Sequence, residues 1–130
     1  MLLSLTDLSS ETLQSQIVRQ VRARILTGEL QAGSDLPSIR ELARDSKVSV
    51  ITVQRAYETL LREGLIHSRR GKGFFVSELP DGEKRSLARE RLVERLRPIV
   101  TGAADEGLSG EEIRESVDTL LNHNGDGGLK

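Results

Sequence analysis

Two helix-start signals with a tight turn between them constrain this chain more than any other feature of its sequence. Ser38-Ile39-Arg40-Glu41 has the form of a capping box. In such a box the serine oxygen accepts from the backbone at Glu41, and the glutamate reaches back to the Ser38 N–H. Ile39, Leu42 and Ala43 give the segment an apolar side, and the pattern has stopped by about Ser46. Lys47 and Val48 lead to Ser49, a second N-cap, after which Val53, Ala56, Tyr57, Leu60 and Leu61 recur at helical spacing to about Glu63 and Gly64. A short helix, a tight turn and a longer helix are the consequence.

What flanks this pair completes a fold. Upstream, Leu13, Ile17, Val21 and Ile25 recur every fourth residue. They predict a first helix from about Glu11 to Thr27, capped by Ser9 or Ser10 and ended at Gly28. Glu29 to Leu36 reads as a loop into Pro37. Downstream, Leu65-Ile66-His67-Ser68 and Phe74-Phe75-Val76 flank the turn Arg69-Arg70-Gly71-Lys72-Gly73, which reads as a β-hairpin. Helix, helix, turn, helix, hairpin is the winged helix-turn-helix order.

Pro80-Asp81-Gly82 is the linker candidate. Beyond it Leu87, Ala88, Leu92, Val93, Leu96, Ile99, Val100 and Ala103 make a broad apolar face on one helix, interrupted by Pro98. An interior proline costs a helix about 3 kcal/mol, so a kink or an early end is expected there. Gly107-Leu108-Ser109 breaks the pattern, Ser109 and Glu112 resemble another capping box, and Ile113, Val117, Leu120 and Leu121 line a last helix. Asn122 to Lys130 is glycine-rich and reads as a disordered tail. The expected architecture is mainly α with a small β-hairpin: a winged helix-turn-helix over 1–78, a two-helix dimerisation region over 79–124 and a tail over 125–130.

Composition narrows the function classes. Aromatic residues are 2% of the chain and tryptophan is absent, so a core must be built from Leu, Ile, Val and Ala, which favours helices. The absence of cysteine removes disulfides and thiolate chemistry. Met1 to Leu8 lacks the basic start and apolar stretch of a signal peptide, and a cytoplasmic protein is expected. Net charge is −1, but Met1 to Glu78 holds eleven Lys/Arg against nine Asp/Glu, and Leu79 to Lys130 eight against eleven. The positive excess sits in the helix-turn-helix half.

Nucleic-acid chemistry has candidates there. A recognition helix presents short polar and aliphatic side chains at its N-terminal end, where they reach base edges first. Ser49, Val50, Ile51, Thr52, Gln54 and Arg55 fit that demand. Gln54 suits an adenine edge, and Val50, Ile51 or the Thr52 methyl suits a thymine methyl. Arg40 places a cation in a first helical turn, where carboxylates are preferred, which points to a phosphate or else to pairing with Glu41 or Asp45. Arg69, Arg70 and Lys72, interleaved with Gly71 and Gly73, are the sharpest signal: cations on a hairpin whose glycines let the backbone come close to a ligand. His67 and His123 stand near no set of metal-ligand spacing, and no catalytic or nucleotide-binding motif is present. No cofactor is expected.

These stretches are recognisable together. Leu36 through Ala43, Val48 through Tyr57, Arg62-Glu63-Gly64-Leu65-Ile66 and Arg69 through Val76 resemble, in order, the DNA-binding domain of the GntR family, and Ile25 through Leu30 resembles the exit of its first helix. The resemblance implies a winged helix-turn-helix with DNA contacts at Ser38, Arg40, Ser49, Ile51, Thr52, Gln54 and Gly71 with its basic neighbours. Many members carry an arginine after the capping residue, where this chain has Val50, so the operator stays open. The short C-terminal part resembles the two-helix appendage of the YtrA subfamily. That implies dimerisation through those helices and frequent association with transporter genes.

A dimer also follows from the residues. A two-helix hairpin as apolar as Leu92, Leu96, Ile99, Val100, Val117, Leu120 and Leu121 needs a covering surface, either a partner chain or the chain's own first helix. The expected partners are a second copy and double-stranded DNA with a roughly palindromic operator; a small-molecule effector between the tails would be of unspecified class, and no membrane is involved. The rival class is a winged-helix module that binds protein. Arg40, Arg55, Arg69, Arg70 and Lys72 count against it.

Overall fold

Ile17, Val21 and Ile25 lie one helical turn apart and are fully buried, as are Val53, Ala56 and Leu60 of the helix they meet. These two stripes determine the arrangement seen in the computed structural model, which describes residues 1–125. Along the chain run α1 (Leu13–Leu26), α2 (Ile39–Ser46), α3 (Val50–Arg62), β1 (Ile66–Arg69), β2 (Gly73–Val76), α4 (Asp81–Asp105) and α5 (Gly110–Gly125). The chain divides into two compact units, Met1–Arg85 and a second that begins at Ser86.

In the first unit α3 is the centre, packed on α1, on α2 and on β1. Burying each Ile, Leu or Val of its core is worth about 1.5–3 kcal/mol, so the α1–α3 seam dominates stability. One bidentate ion pair closes the seam: Arg22 donates from Nε and Nη2 to the two carboxylate oxygens of Glu63 at 2.9 and 2.7 Å. Tyr57, buried on α3, ties three segments together. Its hydroxyl donates to the Pro37 carbonyl at 2.7 Å, just before α2, and its ring meets Phe74 of β2 edge-on at 4.9 Å.

The helix-turn-helix forms as its caps require. Ser38 Oγ accepts from Glu41 N at 3.1 Å while Ser38 N donates to Glu41 Oε1 at 3.1 Å, a complete capping box. The turn closes on Lys47, which adopts the left-handed conformation at φ 58°, with Val48 N donating to the Ala43 carbonyl at 3.0 Å. Lysine there is strained by the approach of its Cβ to the following carbonyl, a cost of about 1–2 kcal/mol that the surrounding packing outweighs.

Several local expectations change. The cap of α1 is Thr12, whose side chain accepts from Ser15 N, so the helix starts later than Ser9 or Ser10 would place it. The residues before it are held instead by Gln16, whose buried amide donates to the Thr6 and Glu11 carbonyls and accepts from Thr6 N. Glu29 to Leu36 is more than a loop. Gly33 N donates to Val76 O, Val76 N to Ser34 O and Leu36 N to Phe74 O, so this segment covers the free edge of β2. A lone edge leaves backbone groups unpaired, and the covering residues satisfy them.

The chain after β2 departs further. Asp81 and Gly82 are the first turn of α4 rather than a linker, with the acids Asp81 and Glu83 at the positive end of the helix. The early end expected at Pro98 does not occur: the helix continues through it to Asp105, since a proline takes away a single ladder donor and leaves the other residues able to stay helical. Ser109 and Glu112 form the second capping box. The two helices do not make the hairpin expected of them, since α5 is not packed back along α4 and no residue of α4 is buried. Asn122 to Gly125, expected in the tail, belong to α5; residues 126–130 of that expected tail lie outside the described residues.

Replacing Tyr57 by Phe should lower the unfolding free energy by about 1–2 kcal/mol, since it leaves the Pro37 carbonyl without its donor. Urea titration checks this: a lower midpoint at unchanged slope is expected, and an unchanged midpoint would remove the hydroxyl from the account.

Candidate nucleic-acid interface

The side of α3 opposite its core is open. Val53, Ala56, Tyr57 and Leu60 face inward, while Val50 is 45% and Ile51 53% exposed in the first turn. Gln54 and Arg55 are exposed as well, and Thr52 is half-buried. An aliphatic pair held in water at a helix start has no core to serve. Val50, which a helical wheel alone leaves ambiguous, therefore joins Ile51 on the exposed side.

The two capping serines each have part of their hydrogen-bonding capacity in use. Ser49 Oγ accepts from Thr52 N at 3.1 Å and lies 2.8 Å from Thr52 Oγ1, so it serves the cap of α3. Ser38 Oγ accepts from Glu41 N at 3.1 Å and so serves the cap of α2. Beside these side chains, the first backbone N–H groups of each helix point outward and suit an anion. Gln54 donates from Nε2 to Glu58 Oε1 at 3.3 Å, so the carboxylate one turn on orients its amide.

The cations are placed differently from one another. Arg40 is exposed, and the two acids that could have neutralised it are engaged elsewhere: Glu41 by Ser38, and Asp45 by Arg44 at 3.3 Å. Among the described residues Arg40, Arg55, Arg70 and Lys72 are in no ion pair. At the wing tip Lys72 N donates to Arg69 O at 2.9 Å and Gly71 sits at φ 75°, as the third residue of a type II turn requires. Arg70, Gly71 and Lys72 are thereby carried at the end of the β1–β2 hairpin, with Arg69 opposite Gly73 in the last strand pair before the turn. Arg69 is not free: its guanidinium lies over the Phe75 ring, 4.8 Å from the centroid.

Two contributors were not legible in the sequence. Lys47 stands exposed in the turn between α2 and α3, and nothing in a lysine signals a left-handed backbone. Phe75 reads as a strand residue with no hint of what its ring holds. No group of His, Asp and Glu among the described residues could hold a metal ion, and no described helix is long and apolar enough to cross a membrane.

A capped short helix, a left-handed turn, a second helix with an open N-terminal side and a basic hairpin define a winged helix-turn-helix DNA-binding protein. The chain belongs to the bacterial regulatory proteins of the gntR family, whose sequence pattern it matches over residues 13–76. It is 37% identical over 115 residues to the HTH-type transcriptional regulator YhcF of Bacillus subtilis (strain 168), covering 86% of this chain and 92% of that one. To the HTH-type transcriptional repressor YtrA of the same organism it is 33% identical over 112 residues, 84% of each chain. A GntR family transcriptional regulator from Listeria monocytogenes superposes with a TM-score of 0.72 at 29% identity, over 88% of this chain and 98% of that one. The DNA-binding domain of AraR in complex with operator ORE1 matches 59% of this chain and 94% of that one, with a TM-score of 0.50 at 25% identity. The chain is a YtrA-like, DNA-binding transcription regulator and not an enzyme.

Acid should weaken the α2 cap in a defined direction. The Ser38 backbone N–H and then the Ser38 hydroxyl hold the Glu41 carboxyl below the usual carboxylate range. Its contribution is therefore complete above the ordinary value of 4.5 and is lost as pH falls through and below it. Thermal melts of the wild type and Glu41→Gln should differ at pH 7 and converge towards pH 3; a difference that persists at pH 3 would contradict the assignment.

Proposed function

We propose that this regulator is a dimeric repressor that binds a roughly palindromic operator, with α3 in the major groove and the wing on backbone phosphates. The carrying observation is the exposed first turn of α3, where Val50 and Ile51 stand in water with no core to serve. Ile51, Thr52, Gln54 and Arg55, with Val50, choose the sequence from base edges and thymine methyls. Arg40, Arg69, Arg70 and Lys72, with the backbone at Ser38, Ser49, Gly71 and Gly73, supply affinity through phosphates, which carry no sequence information. The repressor sense and a transporter operon as target follow the YtrA likeness. A cytoplasmic location suits that role.

In this reading DNA binding belongs to residues 1–78 and dimerisation to 79–124. Leu92, Leu96, Ile99 and Val100 on α4, with Val117, Leu120 and Leu121 on α5, provide the interface between two copies. Ile99 is 66% and Leu120 62% exposed, and α5 does not cover α4, so a second copy is the economical way to bury these faces. Two-fold symmetry then sets two recognition helices about one DNA turn, or a multiple of it, apart. An effector, where one exists, would bind between the tails.

Changing Arg69, Arg70 and Lys72 together to Ala should weaken binding to operator and unrelated duplex alike. It should also flatten the dependence of log K on log salt by about 0.9 for each phosphate no longer neutralised. Weakening on the operator alone would move the wing from phosphates to bases. Ile99→Glu with Leu120→Glu should turn the dimer into a folded monomer in sedimentation velocity; an unchanged dimer would exclude these faces.

A further inference from the structure

Phe75 does not belong to the core of the first unit. Its strand neighbours Phe74 and Val76 point inward, Phe74 onto Tyr57 and Val76 fully buried. Phe75 therefore lies on the outer face of the sheet, where it is paired across β1 with His67 and bridged on its other side to Asp35. The imidazole stacks on its ring, centroids 5.9 Å apart and planes within 26°, and His67 Nδ1 stands 3.5 Å from Ser77 Oγ. The Arg69 guanidinium lies over the same ring at 4.8 Å.

We propose that Phe75 is a positioning residue for DNA binding: its ring, braced by His67, holds the Arg69 guanidinium where it meets the DNA backbone. The inference rests on the reading of Arg69 as a phosphate-binding residue. A cation over an aromatic face keeps its charge and its N–H donors at the guanidinium edge, so Arg69 can hold the ring and a phosphate at once. Arg70 and Lys72, with no such support, give up rotamer freedom only when DNA binds, whereas Arg69 has given it up beforehand. The wing thus carries one pre-set cation and two adaptable ones.

A double-mutant cycle on the full-length protein tests this, read as equilibrium binding to operator and to unrelated duplex. Phe75→Leu should weaken binding about two- to five-fold on both duplexes, the range of an exposed cation–π interaction. Phe75→Tyr, which keeps a ring, should restore it. In an Arg69→Ala background Phe75→Leu should have no further effect, because nothing is left to position. An undiminished effect in that background would make Phe75 a packing residue and overturn the proposal, as would Phe75→Leu binding like the wild type while Arg69→Ala binds weakly. If Arg69→Ala itself changes nothing, the phosphate reading of Arg69 fails and the proposal fails with it. Matched thermal midpoints for the Leu and Tyr variants separate the absence of the ring from a failure to fold.

Discussion

One hydroxyl connects the parts that must act together. Tyr57 sits in the middle of α3, donates to the Pro37 carbonyl at the entrance to α2 and presents its ring edge to Phe74 of the wing strand. A buried phenol without a partner would be costly, and burial, with Glu41 adding to it, pushes its ionisation well above the ordinary range, so it remains a donor. Recognition helix, preceding helix and wing are therefore not three independent elements. The α1–α3 seam and the Arg22–Glu63 pair support this centre from behind, leaving the N-terminal end of α3 clear.

That rigidity separates two kinds of work. The first turn of α3 presents the short side chains of Val50, Ile51 and Thr52 behind the Ser49 cap, which suits recognition by shape and methyl groups, with Gln54 and Arg55 beyond them. The wing carries charge at the tip of a turn that Gly71 makes possible, which suits backbone attraction. Arg69 stands between the two modes, charged but fixed on Phe75. The near-neutral charge of the whole chain does not oppose this, because the acids Glu41 and Asp45 beside Arg40 are engaged with Ser38 and Arg44.

Much of this is legible in the sequence because it depends on local chemistry. Ser38 with Glu41, Ser49 and Ser109 with Glu112 mark helix starts, and a hydroxyl three residues before its backbone donor has few other uses. The buried series of α3 follows from its spacing. Some of what escapes such reasoning depends on distant segments, as the pairing of Gly33, Ser34 and Leu36 with β2 does; the left-handed Lys47, the seat of Arg69 on Phe75 and the passage of α4 through Pro98 are local, but residue type alone does not announce them. The replacement of a hairpin by two open helices belongs with these, since apolar periodicity shows that a face must be covered and not by what. Ser38 and Ser49 are a subtler case, because a capping serine and a DNA-facing serine have the same pattern, and the structure shows the capping role of both.

The central claim is that an open recognition helix and a charged wing act on one duplex. Footprinting on the promoter upstream of the protein's own gene, repeated from low to high salt, tests it most directly. The account predicts a protected region with two-fold symmetry, half-sites about one helical turn or a multiple of it apart, and affinity that falls steeply as salt rises. Absence of a footprint, or one that ignores salt, would contradict it.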